Sequence, residues 1–304
     1  MDRGAWRDRS SADSTTLFKL LDRYLTDVVP TKRGADVEKV RIKTLQRDSL
    51  SKHKLSALSP LVLVDWRDRR LAAGAAGATV NRELNVISAV INWARKDLMV
   101  SMDNPVAAIR RPPAGKSRDR RLEPGEDVRL LKALSDHSGQ EAREDGKKYR
   151  VGTRNPWIKP LARLALETAM RRGEILALEW ENVDLQRQTA FLPETKNGES
   201  RTVPLSTRAV AILKDLQTGK GQADLVGKVF PVSANAVKLA FARARKRAGL
   251  DDFRFHDLRH EATTRLADKL DNVLELAAVT GHKDLRMLKR YYHPRAEDLA
   301  KKLG

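Results

Sequence analysis

The sequence contains no cysteine at all, which excludes disulfides and thiolate metal sites. It has no uninterrupted apolar run long enough to span a bilayer and no apolar stretch of the signal-peptide kind. A soluble, cytoplasmic protein without a membrane partner is therefore expected. Acidic residues are scarce, 40 against 59 basic ones, for a formal net charge of +19. That imbalance points to a polyanion, and cations that displace the counterions of DNA bind it strongly, salt-sensitively and without regard to sequence. At 304 residues the chain is long enough for two domains, each with its own core.

Histidine and tyrosine are equally sparse, yet they cluster. Four of six histidines and two of four tyrosines fall between His256 and His293. The stretch opens on HDLRH at 256–260, passes through an apolar helical run, turns at Gly281 and His282, and closes on RYYH at 290–293. On a helix, residues three apart share a face, so His256 and Arg259 point together, outside the core, while Leu258, Ala262 and Leu266 face it. A guanidinium offers a planar fork that matches two phosphate oxygens, and an imidazole can donate to a third. A tyrosine hydroxyl, with a reference pKa of about 10, becomes a nucleophile when cations favour its phenolate.

A second guanidinium is needed, and the best candidate is Arg171 in TAMRRGEIL at 168–176. Leu161, Leu164, Ala165 and Thr168 predict one helix, Glu174, Ile175 and Leu178 begin another, and Arg171 stands at the break, with Glu174 near enough to orient it. Short strands are predicted at 189–193 and 201–205, flanking an Asn197-Gly198 hairpin turn. Lys196 lies beside that turn, within reach of a leaving oxygen. His256 and His260 are four apart and could ligate a metal on one helix face, but Arg259 between them would repel a dication and no third ligand completes a set. No metal or other cofactor is expected.

Arg171, Lys196 in TKNGESRTVPL, HDLRH, GH and RYYH, in this order, resemble the motifs of the tyrosine recombinases, the phage integrase family, and the similarity extends to the helical N-terminal part. The resemblance implies that Tyr291 attacks a scissile DNA phosphate, giving a 3'-phosphotyrosine and a free 5'-hydroxyl. Arg171, Arg259 and His282 would hold the phosphate, Lys196 would be the general acid, and His256 an acid/base or positioning group. It also implies a homotetramer on paired sites in double-stranded DNA, DNA-bending accessory proteins as possible partners, and a bacterial or phage-encoded, nucleoid-associated enzyme serving a mobile element. Two departures stand out. Two tyrosines adjoin where one is usual, and the Tyr-x-His pattern selects Tyr291. Ala169 stands where glycine is common, read as a tolerated packing change.

The fold expected is mainly α with a small β-sheet or hairpin: an N-terminal all-helical core-binding domain and a C-terminal α+β catalytic domain of the tyrosine-recombinase kind. The boundaries are a flexible segment at 1–13, the helical domain at 14–109, a basic linker at 110–121 lying along DNA, and the catalytic domain at 122–304. Helices are predicted from a cap at Ser14 to before Pro30, after Gly34 with Val37, Val40 and Leu45, at 60–71, and at 79–98 on a face of Val80, Leu84, Ile87, Val90, Ile91 and Ala94, with a last short one after Asn104. Lys32, Arg33, Lys39, Arg41, Lys43, Arg82, Arg95 and Lys96 form a candidate DNA grip. In the second domain, 135–155 reads as a surface loop or frayed helix and 229–231 as a short strand. A helix capped by Ser206 follows the hairpin. The basic helix after Ser233 should lie on the phosphate backbone, and 294–304 resembles a C-terminal helix that packs on a neighbouring protomer. The competing classes are a DNA-binding regulator without chemistry, a dimer resolvase, and a type IB topoisomerase-like enzyme; the complete Arg, Lys, His-x-x-Arg, His, Tyr set argues for chemistry.

Overall fold

The computed structural model describes residues 10–115, 118, 120–135, 139–142, 146, 148–194, 198–218, 226–270, 272–291, 300 and 303. The chain divides into two compact units, Met1–Ser117 and Arg118–Gly304.

The first unit is helical: α1 (Ser10–Ser14), α2 (Leu17–Asp27), α3 (Ala35–Arg47), α4 (Pro60–Ala72) and α5 (Gly77–Asp97), with 3-10 turns between them. Its core is organised on α5, where Val80, Leu84, Ile87, Val90, Ile91 and Ala94 are all fully buried. Each such aliphatic side chain larger than alanine contributes about 1.5–3 kcal/mol by leaving water. Leu63 and Trp66 of α4 and Leu17, Leu20 and Leu21 of α2 close the same core. Gly77 admits the chain there, since a Cβ on it would stand 2.1 Å from the Pro113 carbonyl oxygen.

Four expectations for this unit change. The cap of α2 is Thr16, whose Oγ1 accepts from Lys19 N at 3.3 Å, because Ser14 belongs to α1 and donates to Ser11 O. Of the segment read as flexible, residues 10–13 are helical and Ala12 is buried; residues 1–9 lie outside the described residues. Val37 and Val40 of α3 are exposed, and Ile42 and Leu45 form its buried stripe. Of the candidate grip, Arg33, Lys39, Lys43, Arg82, Arg95 and Lys96 are exposed, whereas Lys32 is held by Glu38 at 2.7 Å.

The second unit holds α6 (Glu126–Ser135), β1 (Gly139–Ala142), β2 (Lys148–Val151), α7 (Ile158–Thr168), α8 (Arg172–Ala177), β3 (Val183–Asp184), β4 (Thr189–Leu192), β5 (Arg201–Pro204), α9 (Thr207–Gln217), α10 (Ala234–Arg247), α11 (Phe255–Ala267) and α12 (Val273–Thr280). β3, β4 and β5 form an antiparallel sheet in that order, with Ala190 opposite Val203 and Leu192 opposite Arg201. Strand parity puts Ala190, Leu192 and Val203 in the core and leaves Phe191 outside. α7 is buried along nearly its whole length, through Ile158, Leu161, Ala162, Leu164 and Ala165, and packs against α6, α9 and α11. It is the axis on which the site is hung. The fold is thus mainly helical with a small sheet.

Within 135–155 the structure has a two-stranded antiparallel hairpin, β1 with β2, in place of the expected loop or frayed helix. GQEA lacks apolar alternation and KYRV has only Tyr149 and Val151 to show it, too short a run for a period of two to announce the backbone pairing. The expected strand at 229–231 is reduced to a single bridge between Glu179 and Lys228, because Pro231 has no N–H with which to continue a ladder. On α10, Arg243 and Lys246 are exposed, but Arg247 donates to Ala133 O and Thr153 Oγ1, both at 2.8 Å, and Arg245 to Phe253 O at 3.1 Å. Half of that basic run therefore ties the unit together. Arg118, Arg120 and Arg121, read as linker, likewise pair with Asp257, Glu126 and Glu261 of the second unit. Among the described residues no helix is long and apolar enough to cross a membrane.

Candidate active site

Two helix C-termini meet one arginine. α7 ends on Ala169 (φ 51°, ψ 20°) and α12 on Gly281 (φ 70°, ψ 40°), both left-handed. A helix end presents unpaired carbonyls and a partial negative charge. Arg259, at 4% exposure, donates from Nη1 to Ala169 O and from Nη2 to Thr280 O at 2.6 Å. It was expected outside the core. Its burial follows from those carbonyls, which replace water as its partners. The left-handed residue also explains Ala169: the backbone, more than the packing, favours glycine there, and an L-residue costs about 1–2 kcal/mol in that conformation.

Arg171 sits between α7 and α8, as its position at the break predicted. Glu174 accepts from its backbone N–H at 2.8 Å and from its Nη1 at 2.7 Å, and its Nη2 approaches Gly281 O at 3.5 Å. Glu174 also takes Arg201 Nη2 at 2.8 Å, and Arg201 Nη1 reaches Val279 O. Burial pushes the Glu174 carboxyl up, but the charge of Arg201 and the N–H groups of Arg171 hold it below the usual range. Gly281 makes room for this arrangement, since a Cβ would lie 2.9 Å from Arg201 Nε.

His282 follows Gly281. Thr280 Oγ1 donates to Leu276 O at 2.6 Å, so in its 2.7 Å contact with His282 Nδ1 it must accept. Nδ1 therefore carries the proton, and Nε2 faces Arg259 Nη2 at 3.4 Å as an acceptor. Burial first, then Arg259, Arg171 and Arg201, lower the His282 pKa to about 4. Partial burial of its ring, His260 and Arg259 lower that of His256 likewise to about 4, although the residue as a whole is exposed. Burial and Arg171 bring Arg259 down to about 9, still a cation at neutral pH.

Tyr291 brings its hydroxyl into a hydrogen bond with His260 Nδ1, the two rings stacked at 6.0 Å and 25°. Arg290 lies over the tyrosine ring at 5.5 Å and donates to Arg118 O at 2.7 Å. His256 meets His260 edge to face at 5.1 Å. The N-terminus of α11 is clamped by Asp257, which accepts from Arg254 N at 2.7 Å and from Arg118 at 2.8–3.0 Å. A cavity of about 600 Å³ opens there, lined among others by Arg172, Lys238, Arg254 and His256.

Of the six residues singled out from the sequence, Arg171, Arg259 and His282 are joined through the ends of α7 and α12, and His256 and Tyr291 both adjoin His260. Lys196 lies outside the described residues, as do Asn197, Tyr292, His293 and, except 300 and 303, the 294–304 segment. Sequence reasoning passed over two residues. His260 stood inside HDLRH and was weighed only as a metal ligand. Arg201 shares strand parity with buried Val203, so an arginine at an inward position was the signal.

The two-unit helical build and this basic, histidine-rich cluster beside a tyrosine define the class, a tyrosine site-specific recombinase. The phage integrase family matches residues 121–298. A shufflon-specific DNA recombinase of Escherichia coli is 38% identical over 296 residues, covering 95% of this chain and 71% of that protein. The Tn1549 transposon integrase in complex with transposon right end DNA superposes with a TM-score of 0.72 at 15% identity, over 95% of this chain and 98% of that one. A lambda integrase tetramer bound to a Holliday junction gives 0.69 at 23% identity, over 94% and 80%. The chain belongs to the phage integrase family.

Proposed function

We propose that this recombinase cuts and rejoins double-stranded DNA through Tyr291, whose oxygen attacks the scissile phosphorus to form a 3'-phosphotyrosine while the 5'-oxygen leaves. Arg171, Arg259 and His282 hold and neutralise the phosphate, Lys196 protonates the leaving oxygen, and His256 positions or exchanges protons. The carrying observation is electrostatic. Glu174 bridges Arg171 and Arg201, while Arg259 beside them is held by neutral carbonyls, so among the described residues positive charge remains for a phosphodiester. Donors preorganised on developing charge are worth about a hundred- to a thousandfold each in rate. No bond energy is lost to water, because the phosphotyrosine conserves it for rejoining.

The basic cavity beside α11 offers room for neighbouring backbone phosphates, and the exposed cations of α3 and α5 supply a further grip. Solved relatives bound to DNA, one of them a tetramer on a Holliday junction, support a homotetramer on paired sites. The task that fits best is integration and excision of a mobile element, with DNA-bending proteins as accessory partners. The test is covalent trapping in detergent on DNA fragments flanking the protein's own gene. An adduct formed by wild type and by Tyr292→Phe but lost in Tyr291→Phe is expected. Loss in Tyr292→Phe alone would move the nucleophile by one residue, and no adduct on any fragment, nicked or intact, would leave a DNA-binding regulator.

A further inference from the structure

Tyr291 must lose its proton to attack, and the residue that touches that proton is one the motif reading left without a role. We propose that His260 is the proton acceptor for Tyr291, an inference that rests on Tyr291 being the nucleophile. Its Nδ1 meets the tyrosine hydroxyl, and the two rings lie near-parallel beside that contact. As the Oη–P bond forms and the P–O5' bond breaks, the phenolic proton passes to Nδ1, and the 5'-oxygen takes a proton from the general acid. In rejoining, the 5'-hydroxyl gives its proton back to the deprotonated general acid as its oxygen attacks phosphorus, the Oη–P bond breaks, and His260 returns the phenolic proton to Oη.

The other described imidazoles of the site are otherwise engaged. His282 has Nδ1–H committed to Thr280 and Nε2 to Arg259. His256 stands edge-on behind His260, supporting its ring. The position of His260 is set by α11 itself, one residue past the buried Arg259, so the phosphate-holding guanidinium and the proton acceptor are fixed by one backbone. Among the described residues, the charged and titratable groups around it include His256 and Arg259 on its own helix, Arg290 and Tyr291 opposite, and His282 beyond Arg259. Arg259 and Arg290 among them are cations and favour a phenolate once the proton has gone.

The experiment uses the full chain and the duplex that traps the wild type, remade with a 5'-bridging phosphorothiolate at the scissile position. The sulfur leaves without an acid, so cleavage reports on tyrosine deprotonation. His260→Gln should bind this duplex as wild type does in a gel shift, yet cleave it about a hundred- to ten-thousandfold more slowly at pH 7. Its rate should climb with pH, as hydroxide replaces the missing proton acceptor, over a range in which the wild-type rate is already level; His260→Ala should behave alike. Wild-type rate and pH profile in both variants would overturn the role of His260 and leave Tyr291 untouched. Absence of any wild-type adduct would overturn the underlying reading and this one with it.

Discussion

The two units hold their charge differently. In the first, the core is apolar and, among the described residues, its one buried carboxylate, Glu83, pairs with Arg70 at 2.6 Å while the arginine keeps 26% of its side chain in solvent. In the second, Glu174, Asp257, Arg259 and Glu261 are all at most 5% exposed, and each is tied to several partners. A buried ion pair is at best neutral for stability against a hydrophobic equivalent, while breaking one is expensive. The first unit is therefore built chiefly by the hydrophobic effect, and the second gives up some of that stability to hold guanidinium groups in place before substrate arrives.

That contrast can be broken by treating the two carboxylates alike. Glu174→Ala strands Arg171 and Arg201 and should cost about 3–5 kcal/mol of stability, whereas Glu83→Ala, with Arg70 able to turn to water, should cost about 1.5–3 kcal/mol. Denaturant unfolding of both variants measures this, and equal losses would end the distinction. Within the first unit, Ile87→Val removes one buried methylene and should cost about 0.5–1.5 kcal/mol, with DNA cleavage preserved. A far larger loss would mean that α5 depends on exact shape more than on burial.

The contrast also shows in the response to pH. His282 has a folded pKa of about 4 against about 6.5 unfolded, so the native state binds fewer protons between those values. Its contribution is complete above about pH 6.5 and is lost as the pH falls towards 4. Thermal midpoints of the full chain should drop across that window, and His282→Asn should flatten the slope. An unchanged slope would place the acid sensitivity elsewhere, His256 being the next candidate.

Much of the fold and site is legible in the sequence because local rules carry it. The buried face of α5 follows from its 3.6-residue period alone, and the caps at Ser206 and Ser233 and the break at Arg171 follow from residue type and neighbours. Legibility fails where residues far along the chain decide. Val37 and Val40 looked like core and are not, since an apolar residue is buried only if another element covers it. Arg245 and Arg247 looked like DNA contacts and instead satisfy the carbonyls of Phe253, just past α10, and of Ala133, in the last turn of α6.

The sequence by itself determined the class of chemistry and its residue types, because a nucleophile, cations and proton donors in a set order leave few reactions open. Only the tertiary structure decided who serves whom. Arg259 enters the core because the ends of α7 and α12, 90 and 21 residues away along the chain, converge on it. His260, 31 residues before Tyr291, takes its hydroxyl for the same reason. Hydrogen bonds act over about 3 Å, and no spacing in a linear sequence encodes that distance.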